Sequence, residues 1–187
     1  IVLGKINLIY ANLFDQIENM FLQKSYTEVL DSLHRLCCKD LYLGMVETIY
    51  QKRFDQLFWI CFTGGNSSVE HKMLEKVGFF DEQFYRWGPE DIELGYRFNL
   101  SRTSFMYHPE CYCFHLDLLK ERNQMMRDTM KNIKYLKKKY PDSSSIQNYI
   151  DFTSGGFTLE EFYCRETGIV FREEDFDTLF RFRPFNY

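Results

Sequence analysis

The chain has 187 residues, enough for one domain or one domain with a small appendage. Its apolar share of 45% and aromatic share of 18%, with 19 phenylalanines and 13 tyrosines, provide for a sizeable core and large stacking surfaces. A net charge of −4 leaves no dominant basic face, which argues against nucleic-acid binding, and no apolar run is long enough to cross a bilayer.

In chain order, residues 1–10 predict a short apolar strand. It opens on Ile1-Val2-Leu3-Gly4 with neither an initiator Met nor a charged leader, so residues upstream are expected to be missing. Leu13, Ile17, Met20 and Phe21, then Val29, Leu30, Leu33 and Leu36, recur at helical spacing and predict two helices broken near 24–26. A third is expected over 40–55. The continuous run Phe58-Trp59-Ile60-Cys61-Phe62-Thr63 predicts a buried strand, ended by Gly64-Gly65-Asn66. Ser67 or Ser68 is expected to cap a helix over 69–77 that closes at Gly78. A loop with Tyr85-Arg86-Trp87-Gly88-Pro89 leads to a helix from Glu90 to about Leu100, then strands at 103–107 and 111–115. A charged helix runs from Leu118 to Tyr140 and stops at Pro141. Its basic run, 134–139, predicts a solvated face. A Ser-rich linker over 143–145 precedes an aromatic and acidic tail.

The six cysteines show no disulfide framework and point to reduced thiols in a cytoplasmic setting. Cys111, Cys113 and His115 alternate, so on a strand they share one face about 6–7 Å apart. That spacing departs from the C-x2-C pattern of zinc sites, and zinc stands as a lesser alternative.

Several residue groups carry candidate chemistry. Gly64-Gly65-Asn66 after an apolar run either lets a ligand approach the backbone closely or simply makes a tight turn. Trp87 beside Gly88 offers a flat ring for stacking, or else packs in the core. Glu90 and Asp91 open a helix, where carboxylates cap and complement the dipole; the same positive end keeps a catalytic carboxylate ionised. His115 ends a strand, as a core residue or a ligand.

Taken together over 58–117, these groups resemble the galactosyltransferase C-terminal region, shared by β-1,4-galactosyltransferases, chondroitin-polymerase-type enzymes and many bacterial family-2 glycosyltransferases. The segments that carry the likeness are Gly64-Gly65-Asn66, Phe80-Asp81-Glu82-x-Phe84, Trp87-Gly88-Pro89-Glu90-Asp91-x-Glu93-Leu94-Gly95-Tyr96-Arg97, Tyr107-His108-Pro109 and Phe114-His115. The resemblance implies an α/β fold, the second, acceptor-side half of a GT-A nucleotide-diphospho-sugar transferase domain over 1–117, with a helical C-terminal extension over 118–187. It implies transfer from a nucleotide-sugar, a UDP-sugar, to a carbohydrate or other hydroxyl acceptor, with inversion. Asp91 would take the acceptor proton and Glu90 would hold the acceptor. Gly64, Gly65, Asn66, Trp87 and Gly88 would line the sugar site, and His115 would bind Mn2+ or Mg2+. Pro89 stands where the family usually has glycine, which stiffens the loop.

The donor half and its Asp-x-Asp motif are expected upstream, in a missing N-terminal half. Asp175-Phe176-Asp177 has the spacing but not the context of such a motif and predicts a solvated acidic segment. The alternative from another class is a non-catalytic carbohydrate- or partner-binding module derived from such an enzyme.

Overall fold

A computed structural model describes residues 1–38, 41–117 and 122–182. Strand β1, Val2–Tyr10, forms as expected and lies in the middle of a three-stranded sheet. On one side it pairs antiparallel with the two-residue β2, Ser67–Ser68, and on the other it runs parallel to β3, Met106–Asp117. Residues 103–117 thus hold one long strand where two were expected. The interruption survives as a register shift: Val2–Gly4 face Met106–His108, and pairing resumes with Lys5 opposite Tyr112. The residues skipped include Pro109, which has no N–H to give a ladder. Gly4 sits at this shift. A side chain there would run into the Cys111 carbonyl and the Asn66 amide, so the backbone approach requires glycine.

Helices α1 (Phe14–Gln23) and α2 (Tyr26–Leu36) meet at the predicted break, and α3 spans Leu41–Lys52. Glu28 accepts from the Ser25 backbone N–H at 3.0 Å, which fixes the start of α2. Met20, Val29 and Leu33 cover Ile9, with Phe114 and Leu116 packed against them. By the alternation of a strand, Cys113 and His115, with their partners Ile6 and Leu8, face the other way.

The run at 58–62 is not a strand. Asp55–Cys61 coil into a 3-10 helix in which Leu57 through Cys61 are all buried. Burial on every side needs a continuous apolar run whichever way the backbone turns, so periodicity alone does not decide the element. Helix α4 (His71–Val77) starts later than expected, because Ser67 and Ser68 pair with Leu3 and Val2 and do not cap it. It ends as predicted at Gly78, whose φ is 88°. Helix α5, Glu90–Leu100, has the predicted bounds. It packs on the 3-10 helix so closely that Gly95 lies against the Trp59 carbonyl.

Helix α6 (Arg122–Lys139), whose expected start at Leu118 lies outside the described residues, is followed by α7 (Ser144–Thr153) and α8 (Leu159–Thr167). The serines at 143–145 are not a linker. Ser143 accepts from the Ile146 N–H at 3.1 Å and caps α7, which already contains Ser144 and Ser145. Phe152, Leu159 and Phe162 join Trp59, Leu94 and Phe98 in one core, so α7 and α8 pack on the same elements that carry α5. No helix among the described residues is long and apolar enough to cross a membrane.

Candidate active site

The turn after the 3-10 helix meets the start of α5. Thr63 Oγ1 donates to Asp91 Oδ2 at 3.3 Å, and the Gly64 backbone N–H also donates to this carboxylate. A Cβ on Gly64 would sit 3.4 Å from Asp91 Oδ1 and 3.8 Å from Phe80, so the turn lies directly against the acid. Asp91 is half-buried. Burial pushes its carboxyl above the ordinary 3.8, against the opposing pull of the Gly64 and Thr63 hydrogen bonds. A carboxylate held by two donors and made more basic by burial is suited to accept a proton.

Asn66 takes a different part. Its Nδ2 donates to the carbonyls of Lys5 and Cys111, both at 3.0 Å, while its own carbonyl accepts from the Gly4 N–H at 2.9 Å. It bridges β1 to the irregular part of β3, which fixes where the turn stands on the sheet. Gly65 lies over the face of β1 and β3 that Ile6 and Cys113 share, with Cys113 Sγ 4.0 Å from its carbonyl. His115 stands one strand repeat further along that face, and it is exposed. The two-glycine turn thus touches Asp91 at Gly64 and the β1–β3 face at Gly65.

Trp87 is 39% exposed, which excludes the core reading. Its loop is tied down along its length. Arg97 donates to the carbonyls of Val77 at 2.7 Å and Phe79 at 2.6 Å. Asp81 accepts from Tyr135 at 2.8 Å and from Lys139, and its carboxyl is pushed down to about 2, the hydrogen bonds of Lys139, Gln83 and Tyr135 outweighing the upward effect of burial. Glu93, with no exposed surface, accepts from Arg97 through both oxygens, at 2.9 and 3.1 Å from Nε, and from Tyr140, with Lys139 Nζ 2.8 Å away. Burial opposes its ionisation and these partners overcome it, so Glu93 too is held low. Lys139 thus departs from the solvated face expected of the basic run: it is the cation between two carboxylates.

Glu90 is the first residue of α5 and is half-buried. Tyr149, on α7, lies within electrostatic range of both carboxylates. Burial first, and then Glu90 and Asp91, push its phenol well above the ordinary 10. Nothing local in the sequence marks Thr63 or Tyr149 as part of this site. Thr63 closes an apolar run with no motif of its own, and Tyr149 arrives from 58 residues beyond Asp91, a separation no local spacing encodes.

No group of three or more His, Cys, Asp or Glu that could hold a metal ion exists among the described residues. His115 with Cys111 and Cys113 therefore does not make a zinc cluster, and all six cysteines are free. Nor does His115 alone make a complete centre for Mn2+ or Mg2+. Asp175 ends a short 3-10 turn and pairs with Arg172 at 3.0 Å, while Phe176 packs edge-on against Phe54. The acidic residues there are solvated as expected, but the phenylalanine between them anchors the segment.

Residues 44–118 match a family profile described as the N-terminal domain of galactosyltransferase. A hyaluronan synthase of Pasteurella multocida is 38% identical over 72 residues, covering 38% of this chain and 7% of that protein. Chondroitin synthases of Pasteurella multocida strain Pm70 and of Escherichia coli are 35% identical over 82 residues and 36% over 72. These cover 43% and 38% of this chain and 8% and 10% of theirs. The chain thus spans a tenth or less of the length of these relatives. No solved structure matches it.

Proposed function

We propose, from a chain whose residues 44–118 form a galactosyltransferase-type glycosyltransferase region, that it is the acceptor-side half of a GT-A catalytic domain acting on a UDP-sugar with inversion. The observation that carries this reading is Asp91, made basic by burial and oriented by Thr63 and Gly64 at the start of α5. The acceptor hydroxyl oxygen bonds to the anomeric carbon as the bond from that carbon to the UDP oxygen breaks, and the hydroxyl proton passes to Asp91. Glu90 holds a neighbouring acceptor hydroxyl, and the exposed ring of Trp87 supports a sugar face. The Gly64-Gly65 turn leaves backbone room beside the carboxylate.

The donor-binding residues are assigned to polypeptide beyond this chain, a reading supported by how small a share of its relatives it spans. His115 is assigned as one ligand of Mn2+ or Mg2+, the others coming from outside the described residues, and the step above is written without the ion. Six free thiols support a cytoplasmic setting.

The test is UDP release by the full natural protein, with UDP-glucuronate, UDP-N-acetylglucosamine and UDP-N-acetylgalactosamine offered to short hyaluronan and chondroitin oligosaccharides. Turnover by wild type is expected, with a loss of about 10²–10⁴-fold in Asp91→Asn and little change in melting temperature or donor affinity. Asn replaces Asp at helix starts at little cost, so a stability effect alone would leave turnover intact. An Asp91→Asn enzyme within a few-fold of wild type removes Asp91 from the reaction. Oligosaccharide binding without turnover by any donor would make the chain a binding module.

A further inference from the structure

The loop that presents Trp87 has a shape the chain does not adopt freely. Arg86 has φ of 63° and Gly88 has φ of 43°, so two of the three residues from 86 to 88 lie in the left-handed region, one of them with a full side chain. Such conformations persist where the surroundings over-determine them. Here one side chain does so. Asn132, on α6 and 3% exposed, accepts from the Tyr85 N–H through Oδ1 at 3.1 Å. Its Nδ2 donates to the carbonyls of Tyr85 at 3.0 Å, Trp87 at 3.1 Å and Gly88 at 2.7 Å. The orientation of this amide is fixed by its partners, since turning it over would set its oxygen against three carbonyls and its NH2 against an N–H. No other residue could do the same from this position. Aspartate loses the donors and leucine loses both functions, while glutamine adds a methylene in a filled site.

We infer that Asn132 is a positioning residue that locks the 85–88 loop as a preformed platform for the acceptor sugar, so that Trp87 is set in place before substrate arrives. The inference rests on the glycosyltransferase reading for what the platform holds, but not for the locking itself. The four hydrogen bonds of Asn132 all go to backbone atoms, so it acts through the backbone that carries Trp87 and leads through Pro89 into Glu90 and Asp91. A misplacement of about 1 Å in such a support is enough for about a hundredfold loss.

Two readouts separate the locking from the function. The chain has two tryptophans, and Trp59 is fully buried, so acrylamide quenching of this 187-residue chain reports on Trp87. In Asn132→Ala and Asn132→Asp, held well below their melting temperatures, the quenching constant of the accessible tryptophan should rise at least twofold, and the protected fraction should stay constant. Asp128→Asn serves as the control. It alters another buried polar group of α6, bonded to Gln124 at 2.8 Å, and should leave quenching unchanged. In the full natural protein, with the donor and oligosaccharide active above, the same Asn132 variants should raise the acceptor KM about tenfold or more and change the donor KM less than twofold.

A Trp87 no more accessible in either Asn132 variant than in wild type overturns the inference whether or not any transfer is found. A loosened Trp87 with an unchanged acceptor KM also overturns the platform role. If both variants fail to fold, Asn132→Ser, which keeps a short donor, is read by the same two measurements. If no transfer is found with any donor, the catalytic reading fails and quenching alone decides the locking.

Discussion

Asp91 is held in a conflict that is informative about its role. Burial makes its charged form costly, and the hydrogen bonds from Thr63 and Gly64 recover only part of that cost. Its folded-state value therefore lies above the unfolded one, and its contribution to stability is full below the ordinary 3.8 and lost as pH rises through the raised value. Asp91→Asn should be as stable as wild type at low pH and slightly more stable at neutral pH, by thermal melts across pH 3–8. The acid limb of kcat/KM, which reports the base in the free enzyme, should lie above 3.8, and Thr63→Val should move it higher by removing a bond to the charged form. A limb unmoved by Thr63→Val would mean that another group titrates there. His115 is a simpler matter. It is exposed and lies at the end of a paired strand, so His115→Ala should leave the melting temperature within about 2 °C, a typical surface effect. If it holds a divalent ion, half-activation by Mn2+ should move to about tenfold higher concentration; an unchanged titration curve would make it a bystander.

At the scale of elements, what could be read from the sequence was what is encoded locally. The bounds of α5, the stop at Gly78 and the break between α1 and α2 follow from caps, glycine and spacing, and all three are present. The 3-10 helix at Asp55–Cys61 was not legible, because five consecutive buried residues carry no period to distinguish a coil from an extended strand. Likewise, Asp91 and Trp87 could be picked out within one short motif, whereas Thr63, Asn132 and Tyr149 act on it from other elements. The packing that aligns these parts turns on Gly95. A methyl group there would meet the Trp59 carbonyl, on the buried 3-10 helix, and lie 2.8 Å from Cβ of Phe62, the residue that follows it, and neither can withdraw without moving the turn that holds Asp91. Gly95→Ala should therefore cost about 1–3 kcal/mol, although alanine is the better helix former. In a chain of this size that is a fall of several degrees in melting temperature by circular dichroism. A variant as stable as wild type would show that the helix and turn slide past each other freely.

Across the molecule, a shared apolar core joins the sheet, the α5 layer and the C-terminal helices, and a line of charge joins α4, the Trp87 loop, α5 and α6 a second time. The core is non-directional and insensitive to pH, whereas the line of charge is neither. Asp81 in the Trp87 loop, Glu93 and Arg97 on α5, and Lys139 at the end of α6 meet in one network, which also fixes α4 through the Val77 carbonyl. Asp81 titrates near 2 in the fold against 3.8 ordinarily, because Lys139, Gln83 and Tyr135 together outweigh burial. A depressed carboxylate contributes stability that is complete above the unfolded value and is lost as pH falls through the folded one, here from about 3.8 down to about 2. A shift of that size corresponds to about 2 kcal/mol at most, less for a group that keeps some contact with water. Thermal melts between pH 2 and 6 should therefore show wild type losing stability steeply below pH 4. Asp81→Asn, starting lower at neutral pH, should lose less, so that the two curves converge near pH 2. Glu93 is also held low and titrates in both proteins, which is why only the difference between the curves isolates Asp81. Parallel curves would mean that the contacts of Asp81 with Lys139 and Tyr135 are not kept in solution.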